Sequence, residues 1–413
     1  MLALFTLVGI CSILDRSIVA IVLEPIKLEF HLSDSQLGII AGLAFAIAHA
    51  LVAIPAGALG DRISRNKLIA ASLFVWSAMT FLCGIAQSFI QLVIGRMGIG
   101  AGEAGAQAAT LSSVADLFPP ERRATAISIF YLSSPIGSAI AGIGGGLIAA
   151  NYGWRTAVIA ASIPGILLCF VMLLTSDVPR ETVKRPAEEK ASDAPGLLTV
   201  LRFISRRKSI LHILTGLALV TLSVAGPSIF AYSFFIRVHG MNLKEIGPIL
   251  GITSGALGIA MMLASGFVAD WLGKRDARRR LWFIVVVLVS VTPFVIAGFI
   301  VPQPYAIPLF LTHVLLVGFW TGPAFATVQN LSHPRMRSTI AGIMYVVLGF
   351  VGFGLGPVVV GQLSDILALQ VGADAGLRWA LCICTGLGFW SALHFSLATR
   401  TLTSDLERTL EMS

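Results

Sequence analysis

Charged residues are scarce in this sequence. Asp, Glu, Lys and Arg make up 12% of its 413 residues and hydrophobic residues make up 56%, whereas about 25% of the residues in a soluble domain are charged. This composition excludes an ordinary soluble domain and predicts an all-α polytopic membrane protein. The net charge of +8 does not indicate nucleic acid as a partner, because the basic residues are distributed as a membrane topology requires.

Cysteine and asparagine are also rare. The five cysteines all lie in apolar segments, so no loop disulfide is expected. Cys382 and Cys384 would point in different directions on a helix, and neither a metal site nor a cofactor is expected. Of the four asparagines, Asn330 alone lies in an apolar segment. This disfavours a carrier of sugars, whose hydroxyl groups need many amide partners.

Twelve apolar segments are long enough to cross a bilayer, which takes about 20 helical residues. No basic region precedes the first segment, which favours a retained helix over a cleaved signal. The segments are 1–23, 36–59, 68–86, 89–117, 125–150, 154–174, 209–236, 246–268, 281–301, 305–331, 338–363 and 379–399.

Lysine and arginine are concentrated on one side of these segments. Of the 29 basic residues, 22 lie in the 175–208 linker, in the C-terminal tail or in loops on the same side, and 5 lie on the other side. The positive-inside rule predicts that the linker and both termini are cytoplasmic. We therefore expect an integral membrane protein with this orientation.

The two halves of the chain carry matching motifs. Asp61 and Asp270, 209 positions apart, each follow a glycine by four residues, and the segment 123–131 matches 337–345. Such a repeat predicts two pseudo-symmetric six-helix bundles with a substrate cavity between them. The predicted domains are an N-terminal bundle at 1–174, a cytoplasmic linker at 175–208, a C-terminal bundle at 209–399 and a cytoplasmic tail at 400–413.

Within the linker, residues 196–208 have an apolar side and a basic side. This pattern predicts a short helix that lies on the inner membrane surface. Such a helix serves either as a scaffold that joins two bundles or as a lipid sensor, and the scaffold is the interpretation we favour.

The stretch 57–67, Gly-x-Leu-x-Asp-Arg-x-Ser-Arg-Asn-Lys, resembles the cytoplasmic loop signature of the major facilitator superfamily. The stretch 266–270 resembles its degraded second copy. In this family the signature stabilises the form closed on the cytoplasmic side, with the aspartate bonded to amides at a helix end. The alternative is a merely basic turn. The implied conformational gate consists of Gly57, Asp61, Arg62, Arg65 and Asp270.

Four charged residues lie in the interior of apolar segments, away from the segment ends: Asp15 and Arg16 in the first, Arg96 and Glu103 in the fourth. A charge at membrane depth costs about 2.5–3.5 kcal/mol or more unless it is paired, so all four are candidate functional residues. Arg96-x-x-x-Gly-x-Gly resembles a second signature of the superfamily. Leu-Asp15-Arg16-Ser, Gly-Glu103-Ala-Gly and the stretch 118–125 resemble a bacterial member of the Spinster family, whose animal members export sphingosine-1-phosphate and lysophospholipids. This resemblance implies a protein of a bacterial inner membrane.

The Spinster resemblance implies that these four residues form a proton-linked network. We expect proton coupling at Glu103 and Asp15, and we expect Arg16 and Arg96 to bind the substrate head group. Helix geometry predicts that Asp15 pairs with Arg96, which lies at the same depth, and that Arg16 pairs with Glu103. The alternative is a permanently ionised structural cluster. We interpret His49, His313 and His394 as packing residues.

The six apolar segments of the second half contain no Asp, Glu, Lys or Arg. The charges of a central cavity would therefore come from the first half alone, and the second half would supply apolar and aromatic surface. Such a cavity suits an amphiphile with a charged head and an acyl tail. The aromatic candidates are about equally expected to pack within the core of the bundle and to line the cavity. The candidates are Phe230, Phe234, Phe235, Trp320 and Tyr345.

Together with the family resemblance, these features predict a monomeric, proton-coupled secondary transporter of an anionic, lipid-like amphiphile that works by alternating access. Its expected partners are protons, membrane lipids and the substrate. A proton-linked carrier of small organic anions or drugs is the alternative. A membrane-embedded enzyme or receptor is least expected, because the sequence offers no metal-ligand cluster and no Ser-His-Asp set at a common depth.

Overall fold

The computed structural model describes residues 1–60, 63–177, 196–273 and 276–410. Helices account for most of these residues, and the described residues contain no β-strand. In chain order the helices are α1 (Leu2–Phe30), α2 (34–60), α3 (Arg65–Gly84), α4 (Phe89–Leu117), α5 (120–152), α6 (Trp154–Leu174), the short α7 (Leu197–Ser205), α8 (Lys208–His239), α9 (Leu243–Gly273), α10 (Ala277–Ile300), α11 (306–330), α12 (337–371) and α13 (Ala373–Leu410).

Four of these helices are irregular. Three contain a wider π-helical turn, a feature that often marks functional sites, and α11 is built from short pieces. The π-helical turns are Ile39–Leu43 in α2, Ala141–Gly145 in α5 and Val347–Leu355 in α12, and the pieces of α11 are Ala306–Leu311, Val314–Gly318 and Thr321–Asn330.

Among the described residues, ten helices are long and apolar enough to cross a membrane. The helices α4 and α9 add 29 and 31 residues, and at 1.5 Å per residue both exceed the thickness of a bilayer core of about 30 Å. Twelve long helices thus match the twelve predicted segments. The last helix continues to Leu410, beyond the predicted end of its segment at residue 399.

The chain forms two compact units. The first contains α1 to α6 together with Pro227–Ile259 and Pro357–Ala380 from the second half of the sequence. The second contains α7 and the remaining described residues of the second half. The first unit therefore includes the C-terminal parts of α8 and α12 and the N-terminal parts of α9 and α13. The predicted boundaries of the two bundles stay a prediction.

Glycines in α4 allow neighbouring helices to approach closely. A Cβ at Gly100 would lie 3.2 Å from Cα of Phe45 in α2, and a Cβ at Gly102 would lie 2.9 Å from the backbone nitrogen of Trp76 in α3. Small residues permit such backbone contacts between membrane helices. The fourth helix is thereby packed against α2 and α3 at the depth where its charged residues lie.

Candidate substrate and proton site

Arg16 of α1 and Glu103 of α4 form an ion pair. Nε and Nη2 of Arg16 lie 2.7 and 2.5 Å from Oε2 of Glu103, and Ser12 donates a 2.7 Å hydrogen bond to the same oxygen. Ser12 reaches it because residues four apart lie on one face of a helix. The Glu103 side chain is 2% exposed and the Arg16 side chain is 36% exposed. The pair predicted from helix geometry is present, and it joins a buried carboxylate to an accessible guanidinium.

Asp15 is buried beside Trp76 and Thr80 of α3, within electrostatic range of Arg96 and Glu103. Neither of its carboxyl oxygens has a partner that meets hydrogen-bond geometry. Within the described part of the chain, no ion pair of 4.0 Å or less joins Asp15 to Arg96. The direct pairing predicted for these two residues is therefore wrong, because the arginine is directed towards α2.

Arg96 binds backbone carbonyl groups of α2. Its Nε donates to the Ile40 carbonyl at 2.9 Å and its Nη2 donates to the Ala41 carbonyl at 3.3 Å. Both carbonyls belong to the π-helical turn of α2, where the i to i+5 hydrogen-bond pattern disturbs the regular helix ladder. A carbonyl oxygen has two lone pairs, so each of these groups can accept a bond from Arg96 in addition to a bond within the helix.

Phe45 of α2 lies beside both arginines. Its ring centre is 4.4 Å from Cζ of Arg16 and 5.4 Å from Cζ of Arg96, which are distances of cation–π contact. The same ring stacks on His49 at 5.4 Å, and the Nδ1 atom of His49 lies 3.2 Å from the Gly100 carbonyl oxygen. Asp15, Arg16, Arg96 and Glu103 with Phe45 are called the central cluster below.

A cavity of about 190 Å³ opens at the Arg16–Glu103 pair. Hydroxyl and amide side chains share its wall with apolar ones, whereas Asp15 and Arg96 are not part of the wall. The polar residues of the lining are Ser12, Arg16, Glu103, Gln107, Thr110, Tyr131, Ser133 and Ser134. The uncharged polar residues of this lining were not predicted from the sequence. Ser12 and Gln107 could have been found, because each lies four residues from a charged member of the cluster.

The aromatic candidates of the second half have different surroundings. Phe230 and Phe234 are fully buried within the first compact unit. Trp320 is buried in the second unit and donates a 2.9 Å hydrogen bond to the Leu316 carbonyl. Tyr345 is 59% exposed and lies near Phe325. A role in lining a cavity stays a prediction for these residues.

The gate motif is partly described. Asp61 and Arg62 lie outside the described residues, Gly57 lies in α2, and Asp270 lies in the last turn of α9. Arg65, at the beginning of α3, forms an ion pair with Asp116, near the end of α4. The motif is thereby connected to the helix that carries Glu103.

A second cluster of charges lies where α1 ends and α2 begins, at the opposite end of α2 from Gly57. Arg237 near the end of α8 donates from Nη1 and Nη2 to the two carboxyl oxygens of Asp34 at 2.8 and 2.9 Å. It also donates from Nε and Nη2 to Glu24 at 3.1 and 2.8 Å. Lys27 and Ser364 add bonds of 2.5 and 2.6 Å to Asp34.

Asp365 of α12 completes this arrangement at the beginning of α2. Its carboxyl oxygens accept hydrogen bonds of 2.9 and 2.8 Å from the backbone amides of Asp34 and Ser35. Amides in the first turn of a helix have no partner within the helix, and a carboxylate there is favourable. A Cβ at Gly361 would meet the Asp34 carbonyl group, so glycine permits the close contact. We call Glu24, Lys27, Asp34, Arg237, Ser364 and Asp365 the far-face cluster.

From the sequence alone, the basic members of the far-face cluster indicate only the topology. A usable signal was present, because Glu24, Asp34 and Asp365 lie at the ends of predicted segments on the same side as Lys27 and Arg237. What the sequence did not reveal is that segments more than 200 residues apart meet there.

Comparison with known proteins agrees with this architecture. The family model described as Major Facilitator Superfamily matches residues 5–357. The chain is 32% identical over 401 residues to an MFS-type efflux pump of Mycolicibacterium smegmatis, which covers 97% of this chain and 92% of that protein. It is 26% identical over 397 residues to the hexuronate transporter of Bacillus subtilis, with 94% and 91% covered.

Spinster proteins are also among the relatives. The chain is 25% identical over 438 residues to the sphingosine-1-phosphate transporter SPNS2 of Xenopus tropicalis, with 97% of this chain and 82% of that protein covered. A crystal structure of a bacterial homolog of the human lysosomal transporter Spinster, inward-facing and unoccupied, matches with a TM-score of 0.87 and 25% identity over 98% of this chain and 97% of that one. From its helices, its repeated motifs and these matches, the chain belongs to the Major Facilitator Superfamily and resembles its Spinster members.

Proposed function

We propose that the protein is a proton-coupled secondary transporter that moves an anionic amphiphile by alternating access. The observation that carries this proposal is the ion pair between Arg16 and Glu103 at the wall of the cavity. The guanidinium is accessible from the cavity, whereas the carboxylate is buried. A change of charge on Glu103 therefore acts directly on the Arg16 guanidinium, which is the group that would bind the substrate.

The coupling follows from the charge balance of the central cluster. Two carboxylates and two guanidinium groups sum to zero when all are ionised. Protonation of Glu103 leaves Arg16 without its counter-charge, and an anionic head group in the cavity then supplies one. Loss of the proton restores the ion pair and displaces the anion. Proton and substrate thus bind and leave together.

The cavity fits a head group and not a whole lipid. Its volume of about 190 Å³ is below the roughly 300–1,000 Å³ of pockets that enclose a drug-sized ligand. The acyl tail of the proposed substrate therefore extends beyond the cavity. The similarity to a sphingosine-1-phosphate transporter supports an amphiphile with a phosphate head.

A small organic anion is the second candidate substrate. The hydroxyl and amide groups of Ser12, Gln107, Thr110 and Ser133 in the cavity wall would suit a hydrophilic acid, and the similarity to a hexuronate transporter supports this reading. Thermal unfolding of detergent-purified protein with lysophosphatidic acid, glucuronate or a cationic drug separates the candidates. Stabilisation by glucuronate alone would exclude the lipid.

We further propose that the two bundles, 1–174 and 209–399, rock against each other, with the linker and both termini in the cytoplasm of a bacterial cell. The 22 basic residues on the linker side against 5 on the other support this orientation. The far-face cluster would then hold the outer side closed, and the gate motif around Asp61 would act on the inner side.

The decisive experiment measures uptake into liposomes, driven by a pH gradient, for the wild type and Glu103→Gln. The amide keeps the shape of the side chain but carries no proton to exchange, so we expect pH-driven transport to fall by about tenfold or more, which corresponds to about 1.4 kcal/mol. Glu29→Gln is the matched control, because Glu29 pairs with Arg155 at an exposed site. An unchanged pH dependence in Glu103→Gln would refute the coupling.

A further inference from the structure

Helix α7 presents three different surfaces. Val200 and Ile204, four residues apart, are buried, and the helix lies against the beginning of α12. Leu197 and Leu201, also four apart, are exposed, and Leu198 beside them is 81% exposed. These leucines have no covering partner among the described residues.

Basic side chains form the third surface. Arg202 and Arg206 are four residues apart and exposed. At 100° per residue, the line of Leu197 and Leu201 lies about 60° from the buried line of Val200 and Ile204, and the arginine line lies about 140° farther round. One side of α7 therefore packs against protein, the next side is an uncovered apolar strip, and the third side is a basic strip.

The position of α7 relative to the membrane is fixed by its neighbours. Two residues separate the end of α7 from Lys208, which begins α8, a helix long and apolar enough to cross the membrane. Arg207, between the two helices, is buried and donates to the Asp405 carbonyl in α13, while the Asp405 carboxylate accepts 3.1 and 2.5 Å bonds from the amide and hydroxyl of Ser209. The helix is therefore held at the end of a membrane span.

We propose that α7 is a binding surface for acidic phospholipids, with its leucines inserted in the membrane interface and Arg202 and Arg206 on the head groups. An amphipathic helix in this setting buries its apolar face at the boundary of head groups and acyl chains. Arginines close to an anionic leaflet are attracted to it. No acidic side chain lies between residues 196 and 209 to oppose this attraction. The proposal does not depend on the identity of the transported substrate.

The depth of the leucines is tested with spin labels on Leu198→Cys and, as matched control, Thr199→Cys, in lipid nanodiscs. The five native cysteines are buried, and the unsubstituted protein gives the labelling background. We expect the label at 198 to be relaxed more by oxygen than by a water-soluble nickel complex, with the reverse at 199. A water-like label at 198, or one shielded from both reagents as under a second protein surface, would overturn the proposal.

The head-group contact is tested by thermal unfolding in nanodiscs of phosphatidylcholine with and without phosphatidylglycerol. We expect phosphatidylglycerol to raise the melting temperature of the wild type and to lose this effect, at least in large part, in the double variant R202E/R206E. The control variant K244E carries the same type of change at an exposed position in the first turn of α9 and should keep the shift. Equal melting temperatures of the wild type in both lipids would overturn the proposal.

Discussion

The central cluster and the far-face cluster both gather acids and bases at helix interfaces, yet their polar atoms are satisfied to different degrees. In the far-face cluster, Arg237 makes four hydrogen bonds to two carboxylates. In the central cluster, both oxygens of Asp15, Nη1 of Arg96 and Oε1 of Glu103 are buried without a partner.

This difference separates a fixed contact from a responsive one. A buried ion pair holds when good geometry and further hydrogen bonds offset the loss of hydration. Unpartnered buried atoms carry a desolvation cost. Such atoms can still bind a proton or form a hydrogen bond to an additional ligand. The far-face cluster is therefore suited to hold helices together, whereas the central cluster is suited to change its charge.

The largest effect is expected for Arg237→Ala. The substitution leaves Glu24 and Asp34 buried, with Lys27 as the remaining cation of the far-face cluster. Removal of one member of a buried pair costs about 3–5 kcal/mol. We expect a marked fall in the melting temperature of the purified protein. Arg237→Lys should recover only part of it, because lysine cannot make the forked contact. A melting temperature equal to that of the wild type would show that the far-face cluster is not a stabilising contact.

The second largest effect is expected for Arg96→Lys in the central cluster. Lysine lacks the planar fork that reaches both Ile40 and Ala41, and a hydrogen bond to a charged group contributes about 1.5–3 kcal/mol. We expect a loss of stability in that range, measured by thermal unfolding, and slower transport. Arg65→Lys is a comparable change outside the cluster. If both variants lost the same stability, the π-helical turn would have no special role.

A smaller effect is expected for Ser12→Ala. The Ser12 hydroxyl donates to the charged form of Glu103, so its loss makes protonation easier and should move the pH profile of transport to higher pH. A change of about 1 kcal/mol corresponds to roughly 0.7 pH units. Ser134→Ala, in the same cavity wall, is the control. A shift to lower pH would contradict the assignment of Glu103.

The smallest effect is expected for Arg155→Ala. Arg155 pairs with Glu29, but both side chains are well exposed, and exposed pairs contribute about 0–1 kcal/mol. The melting temperature should stay close to that of the wild type, and what change occurs should shrink further at high salt. A fall as large as that of Arg237→Ala would remove the distinction between buried and exposed ion pairs on this face.

Much of the fold followed from local sequence. The twelve apolar segments and the repeated motifs can be recognised in a single sequence. Each apolar segment can be identified by itself, because each span must satisfy its own backbone hydrogen bonds. The pairing of Arg16 with Glu103 also followed, since the depth and direction of both side chains depend only on helix geometry.

Other contacts needed the folded chain. Arg96 was expected to meet Asp15, but the acceptors that it finds are backbone carbonyls in a π-helical turn, and a sequence gives no direct sign of such a turn. The far-face cluster joins residues of α1, α2, α8 and α12, and no spacing rule connects them.

By itself the sequence determined the membrane class, the number of spans and the charges available at membrane depth, because these depend on composition and on the period of one helix. The tertiary structure decided which charges are paired, which remain unpartnered and which face the cavity. Those outcomes depend on how closely the helices approach and on where a helix departs from regular geometry. Examples are the close approach at Gly100, the π-helical turn at Ile39–Leu43 and the contact of Asp34 with Arg237.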